Sequence, residues 1–152
     1  MKRVAAVVIA VTALALAPVA AAEPTPQPGT PCPAPDALTK LPDRSVLTCS
    51  AGTWAPFANP YPFSEIWQSY GSGITLHGQG LRNPEIMSGA WVGTPLDPAA
   101  VCGVEQASVV AAGEVGPTQA STGQPGQPLD FQVLPVVFKI TLSGDCLWRK
   151  VG

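Results

Sequence analysis

The chain is 152 residues long and carries 8 Lys plus Arg against 10 Asp plus Glu, a formal net charge of -2 at pH 7. Two of the basic side chains, Lys2 and Arg3, belong to an N-terminal leader, and without them six basic groups face ten acidic ones, a net charge of -4. That balance speaks against nucleic acid as a partner, since a phosphate backbone calls for a basic stripe and Lys40, Arg44, Arg82, Lys139, Arg149 and Lys150 are scattered except for the last two.

Residues 1–22 have the layout of a signal peptide. Lys2 and Arg3 open it, an uncharged apolar stretch follows from Val4 to Ala17, and Ala20-Ala21-Ala22 supplies the small-residue cleavage site ahead of Glu23. The apolar stretch is short of the ~20 residues that a membrane helix needs, and no second run of that length occurs. No cysteine stands at the cleavage point and no twin arginine precedes it, so the general secretion route and a secreted product without a membrane span are expected. Residues 23–35 then hold six prolines and little to bury, which predicts an extended, flexible spacer.

Cys32, Cys49, Cys102 and Cys146 are even in number in an exported chain, so two disulfides are expected. Three connectivities are open, and locality favours Cys32 with Cys49 and Cys102 with Cys146. A zinc site is disfavoured because no CxxC pair occurs and His77 is the sole histidine. No metal or cofactor is expected.

The first local unit, residues 36–54, reads as a small disulfide-closed hairpin, with a turn at Asp43-Arg44, a strand over Val46-Leu47-Thr48-Cys49 and a second turn at Gly52. The run Leu47-Thr48-Cys49-Ser50-Ala51-Gly52-Thr53-Trp54 resembles the L-x-C-x-x-G-x-W ending of hairpin modules in bacterial surface and tail-fibre proteins, a resemblance that implies shape alone. Residues 55–80 read as an aromatic and glycine-rich strap. Six of the ten aromatics, Trp54, Phe57, Tyr61, Phe63, Trp67 and Tyr70, crowd a stretch interrupted by Pro56, Pro60 and Pro62. Ser64 is placed to cap a short helix over Glu65 to Tyr70, ended by Gly71. The rings either fill a core short of aliphatic bulk or form a platform for a sugar or apolar ligand, in which case Trp54, Tyr61 and Trp67 are the ligand-binding candidates.

Residues 81–152 form the main β region. Strands are predicted over Ile74-Thr75-Leu76 just before it, over Ala90-Trp91-Val92, and from Gln106 to Val115, with residues 116–128 a long loop. Asp97 to Gly103 carries a helix cap, a first-turn proline and a closing glycine, which predicts one helical turn. The clearest periodicity is over 129–148. Leu129, Phe131 and Val133 alternate with polar residues, Pro135 marks an edge, bulge or corner, and Val136, Phe138, Ile140 and Leu142 resume in the opposite parity. Ser143-Gly144-Asp145 turns the chain into a last strand at Cys146.

Trp91-Val92-Gly93, Pro98, Cys102 and the distal Ser143-Gly144-Asp145-Cys146-Leu147-Trp148 resemble small secreted proteins of mycobacteria and related actinomycetes, in which glycine-rich β segments end in Cys-x-Trp. The likeness spans about half the chain and departs from those proteins at Asp97-Pro98-Ala99-Ala100, where they carry Pro-Gly-x-Tyr. It implies export and a β fold, and no activity.

The expectation is one mainly β domain over 36–152, a small disulfide-stabilised sandwich or partly open barrel with one or two short helical turns. Function reads as non-catalytic contact at or near the cell envelope, with a cell-wall glycan, a lipid or another envelope protein as partner. The alternative is a carbohydrate- or lipid-binding module built on the aromatic strap. A hydrolase using His77, or Glu65 with Glu85, is the remaining class, and the chain lacks G-x-S-x-G, HExxH and phosphate-cradling motifs that would support catalysis.

Overall fold

The computed structural model describes residues 24–152, and the leader expected over 1–22 lies outside them. The regular structure of the described residues is all strand: β1 (Leu38–Lys40), β2 (Val46–Ser50), β3 (Thr53–Pro56), β4 (Ile66–Ser69), β5 (Ile74–His77), β6 (Gly89–Pro95), β7 (Gly103–Ala111), β8 (Glu114–Val115), β9 (Gln119–Thr122), β10 (Leu129–Val133), β11 (Val137–Ser143) and β12 (Cys146–Lys150). They form two sheets, ordered β10-β6-β12-β4-β1-β2-β3 and β5-β11-β7-β8, with β9 also pairing along β7. Neighbours run antiparallel except β1 and β4, which meet in parallel at Leu38 and Trp67. The arrangement is mainly β and not a closed barrel.

One core draws on both sheets. Trp67, Trp91 and Trp148 from the first are fully buried with Leu76, Ile140 and Leu142 from the second. Each ring of this size buries about 150–250 Å², a large share of what one side chain can contribute to a small core. Their polar edges are matched: the Trp148 Nε1–H donates to Ser69 Oγ at 2.8 Å, and Ser69 in turn donates to the Gly144 carbonyl at 2.6 Å. Phe131 meets Trp148 edge-on, with ring centroids 5.5 Å apart. Gly93 is opposite Trp148 across the ladder, and a Cβ there would overlap the indole, so only glycine lets that ring lie flat over β6.

The alternation over 129–143 reappears as β10 and β11, which belong to different sheets, so Pro135 is the corner where the chain crosses between them. Ile140 and Leu142 face the core as expected. Upstream the parity differs: a register shift between Val137 and Lys139 turns Val137 inward, leaving Val136 exposed with φ 49°. A bulge adds one residue and so swaps faces, which alternation alone does not reveal.

Cys32 is bonded to Cys49 and Cys102 to Cys146, the local pairing favoured above. Two disulfides, with no helix among the described residues long and apolar enough to cross a membrane, are compatible with an extracellular protein.

Four local expectations are corrected. No helix occurs among the described residues. Residues 66–69 are strand, because the Ser64 hydroxyl accepts the Ile66 N–H at 2.9 Å and donates back to the Ile66 carbonyl at 2.8 Å, closing a turn onto β4 rather than opening a helix. At Asp97 the side chain accepts the Ala99 N–H at 2.7 Å and the carbonyl accepts the Ala100 N–H at 3.0 Å, a turn that goes no further. The 116–128 loop contains β9, an all-exposed strand with no apolar alternation to betray it.

The proline-rich segment is no free spacer from residue 24 onward. Gly29 N–H donates to the Trp54 carbonyl, Trp54 N–H to the Thr30 carbonyl, and Cys32 N–H to the Gly52 carbonyl. Pro26 is buried, and the following residues Ala34 and Ala37 join Leu47, Cys49, Trp54 and Leu147 in a second apolar cluster. The cause is that Val46 packs in the main core while its neighbour Leu47 packs in the second cluster. Since successive strand residues face opposite ways, both faces of β2 need a cover, and this segment supplies the outer one.

Candidate functional site

β1 and β5 end side by side at the seam between the sheets, and that seam carries Glu85, the one buried ionisable side chain among the described residues. Lys40 shares its parity with core residue Leu38, so its side chain enters the seam. There Nζ lies 2.6 Å from Glu85 Oε1 and donates to the Thr75 carbonyl at 3.1 Å. Glu85 closes the loop that follows β5. Its backbone N–H donates to the His77 carbonyl, its Oε2 accepts the His77 N–H, both at 2.8 Å, and its carbonyl accepts the Trp67 indole N–H at 3.2 Å. Both carboxylate oxygens are therefore engaged, and the side chain is only 8% exposed. A buried carboxylate persists when it is paired and hydrogen-bonded in this way.

Around this pair lie three open clefts of about 440, 540 and 320 Å³. The first runs between the β1–β2 turn and the 57–62 loop, with Arg44, Phe57 and Asn59 in its walls. The second lies between that turn and β5, lined by Arg44, Tyr70 and His77. The third lies under Tyr61, lined by His77, Arg82 and Asn83. Walls are shared: Pro60, Pro62 and Glu85 by the first and third, Lys40, Leu41 and Arg44 by the first and second, and His77 by the second and third.

Two ionisations at this end are shifted. The Ser45 hydroxyl, 2.6 Å from Asp43, and the Ser45 N–H at 2.9 Å hold the Asp43 carboxyl below its ordinary range. Burial pushes the Tyr70 phenol above its ordinary value, and the charge of Asp43 adds to the rise; the hydroxyl donates to the Lys40 carbonyl at 2.8 Å.

Of the ligand-binding candidates, only Tyr61 is presented to solvent. Trp67 is 0% exposed in the main core and Trp54 is 3% exposed in the second cluster, so no platform of the three exists. The rings left out are Tyr61, 62% exposed, and its neighbour Phe63, 48% exposed, on the loop between β3 and β4. Asn59 Oδ1 accepts the Tyr61 N–H at 2.9 Å and fixes the loop locally.

His77 and Glu85 do come together, chiefly through the backbone. The His77 Nδ1 stands 4.0 Å from Glu85 Oε2, beyond hydrogen-bond reach. Glu65 is exposed and lines none of the three clefts. Among the described residues no group of three or more His, Cys, Asp or Glu side chains is placed to hold a metal ion, and no cysteine is free.

No family model, curated protein or solved structure matches the chain.

Sequence reasoning missed Lys40, Arg44, Arg82 and Lys139 as a group. Lys139 pairs directly with His77 across β5 and β11, while Lys40 and Arg82 meet the seam from segments 42 residues apart. The one available signal was Lys40 itself, a charge at the inward parity of a strand, which requires a buried partner.

Proposed function

We propose that the chain is an exported, non-catalytic protein that works at or near the cell envelope by surface contact, through the proline-framed loop over 57–63. The observation that carries this reading is the exposure of Tyr61 and Phe63, at 62% and 48%, in a chain whose four tryptophans are all buried. Exposed rings of that size, held by Pro60 and Pro62 on either side of Tyr61, offer flat apolar area at little entropic cost. The two sheets facing one core are read as a β-sandwich that holds the loop rigidly. The paired cysteines, the leader over 1–22 and the likeness to small mycobacterial secreted proteins support export.

A glycan is favoured over a lipid as the contacted material, because the clefts beside Tyr61 are walled by Asn59, Asn83, Arg44 and Arg82 as well as by apolar side chains. A hydrolase is disfavoured: both oxygens of Glu85 are engaged and Glu65 stands apart from the clefts.

The test is co-sedimentation of the mature protein with purified envelope fragments. The Tyr61→Ala/Phe63→Ala variant should bind at least about fivefold less, the loss expected for one ring contact. Equal sedimentation of both proteins, or none of either, overturns the reading.

A further inference from the structure

We propose that the three joined clefts form one furrow that binds an acidic polysaccharide, a chain of sugar rings bearing uronate carboxylates, with Arg44 and Arg82 as the carboxylate-binding groups. This rests on the reading of the 57–63 loop as the contact surface and names the chemistry of what it contacts.

Charge is the first reason. The chain without its leader is acidic, yet Lys40, Arg44 and Arg82 line these clefts together with the neutral His77, and Lys139 is the ladder partner of His77. Glu85 lies among them, but its charge is spent inward on Lys40 and the His77 N–H. Asp43, next to Arg44, is turned onto Ser45. Neither guanidinium forms an ion pair among the described residues. An exposed Arg that pairs with no carboxylate among the described residues can take one from a ligand, and its planar fork matches a carboxylate bidentately.

Form is the second reason. Enclosed pockets of a few hundred Å³ suit small molecules. These clefts are open and share walls, so an occupant that fills them is elongated and passes from Arg44, past Pro60 and Pro62, to Arg82.

The remaining wall chemistry selects sugar. The Tyr61 ring and the flanking prolines offer flat apolar surfaces to the C–H faces of a pyranose. Asn59 has its carbonyl oxygen occupied by the Tyr61 N–H, which leaves its two amide hydrogens to donate to hydroxyl or carboxylate oxygens. Two guanidiniums at separate points fit a polymer with about one charge per ring better than a duplex with one charge per ~1.7 Å.

The experiment is titration calorimetry of the mature protein with polygalacturonate, with the same polymer fully methyl-esterified, and with vesicles containing anionic phospholipid. The acidic polymer should bind about tenfold more tightly than its ester, and that advantage should collapse between 50 and 500 mM salt, concentrations that shorten the screening length from about 14 to about 4 Å. Arg44→Ala and Arg82→Ala, both exposed and folding as wild type, should each weaken polyuronate binding about five- to tenfold and leave the ester unchanged. Equal affinity for the acid and its ester overturns the acidic ligand and leaves the loop reading standing. So does failure to bind either polymer while Tyr61-dependent envelope binding persists. Arginine-dependent binding to the vesicles alone overturns the glycan class. Absence of all binding, envelope fragments included, overturns both readings.

Discussion

The Lys40–Glu85 pair is the point at which the seam's electrostatics and the fold's stability meet, and a double-mutant cycle measures it. Glu85 accepts from Lys40 at 2.6 Å and from the His77 N–H at 2.8 Å. Glu85→Gln preserves the shape but replaces one acceptor with an NH2 group, so either the ammonium or the His77 amide then faces a donor. Losing one charge-assisted bond and leaving a buried group unmatched costs about 3 kcal/mol. Lys40→Met leaves a carboxylate that is 8% exposed without its counter-charge, again about 3 kcal/mol, at the low end for buried pairs because Lys40 retains 17% exposure. With both substitutions no charge remains, and the glutamine can still accept the His77 N–H. The double variant should therefore cost about 3 kcal/mol in all, which puts the coupling near 3 kcal/mol. In a domain of this size each kcal/mol lowers Tm by roughly 3–5 °C, so either single variant should melt ~9–15 °C lower and the double variant no lower than the singles. Differential scanning calorimetry under non-reducing conditions reads this directly. Single effects that add to within about 0.5 kcal/mol would show that the two charges act independently and refute the pairing.

Three further outcomes follow from the same geometry. Replacing Cys102 and Cys146 by alanine opens a link of sequence separation 44 and should cost ~4 kcal/mol on the chain-entropy model, against ~3 kcal/mol for the Cys32–Cys49 link of separation 17; urea denaturation of the two variants should preserve that order. Removing residues 24–31 takes away the backbone partners of Trp54 at Gly29 and Thr30 and one wall of the cleft that Trp54 lines, so the deletion should red-shift tryptophan emission and raise acrylamide quenching, and unchanged spectra would mean that the segment does not shield the ring. Tyr70→Phe should cost about 1 kcal/mol through the lost bond to the Lys40 carbonyl. Because the folded state holds the Tyr70 proton more tightly than the unfolded chain, its contribution is fully present below pH 10.0 and fades as pH climbs through the raised folded value; melts from pH 8 to 12 should show an alkaline loss in wild type that the variant lacks.

The strands whose faces differ in polarity were legible in the sequence, and the parts decided by distant neighbours were not. β10 and the end of β11 alternate because one side meets the core, and Pro135 marks the crossing between sheets because proline cannot continue a ladder. The turn at Gly52 was legible, and the observed disulfides are the pairing that locality favoured among three open connectivities. Ser64 misleads because a hydroxyl that bonds a backbone N–H two residues on is the same local device whether a helix or a strand follows. For the tryptophans, composition alone is neutral: an indole suits a core or a binding face equally, and the choice falls on which residues lie opposite. Trp148 is inside because Gly93 makes room for it, and Trp54 is inside among Ala34, Ala37, Leu47 and Leu147, its backbone bonded to Gly29 and Thr30 some 25 residues upstream.

The charge pattern shows the same dependence on topology with a functional consequence. Basic residues that are far apart along the chain converge because β1 and β5 end together: Lys40 and His77 close those strands, Arg44 and Arg82 sit in the loops that follow, and Lys139 pairs with His77. Two acidic groups stay with them, Glu85 paired with Lys40 and Asp43 hydrogen-bonded to Ser45, while others lie further off. Asp130 lies on β10 and Glu114 on β8, at the ends of their sheets remote from β1 and β5 in strand order. If the furrow binds an anionic polymer as proposed, this convergence of basic groups would orient the polymer before contact. Tyr61 stands beside that seam in the wall of the cleft that Arg82 also lines, so under the proposal made above the ring and the guanidinium would meet one ligand.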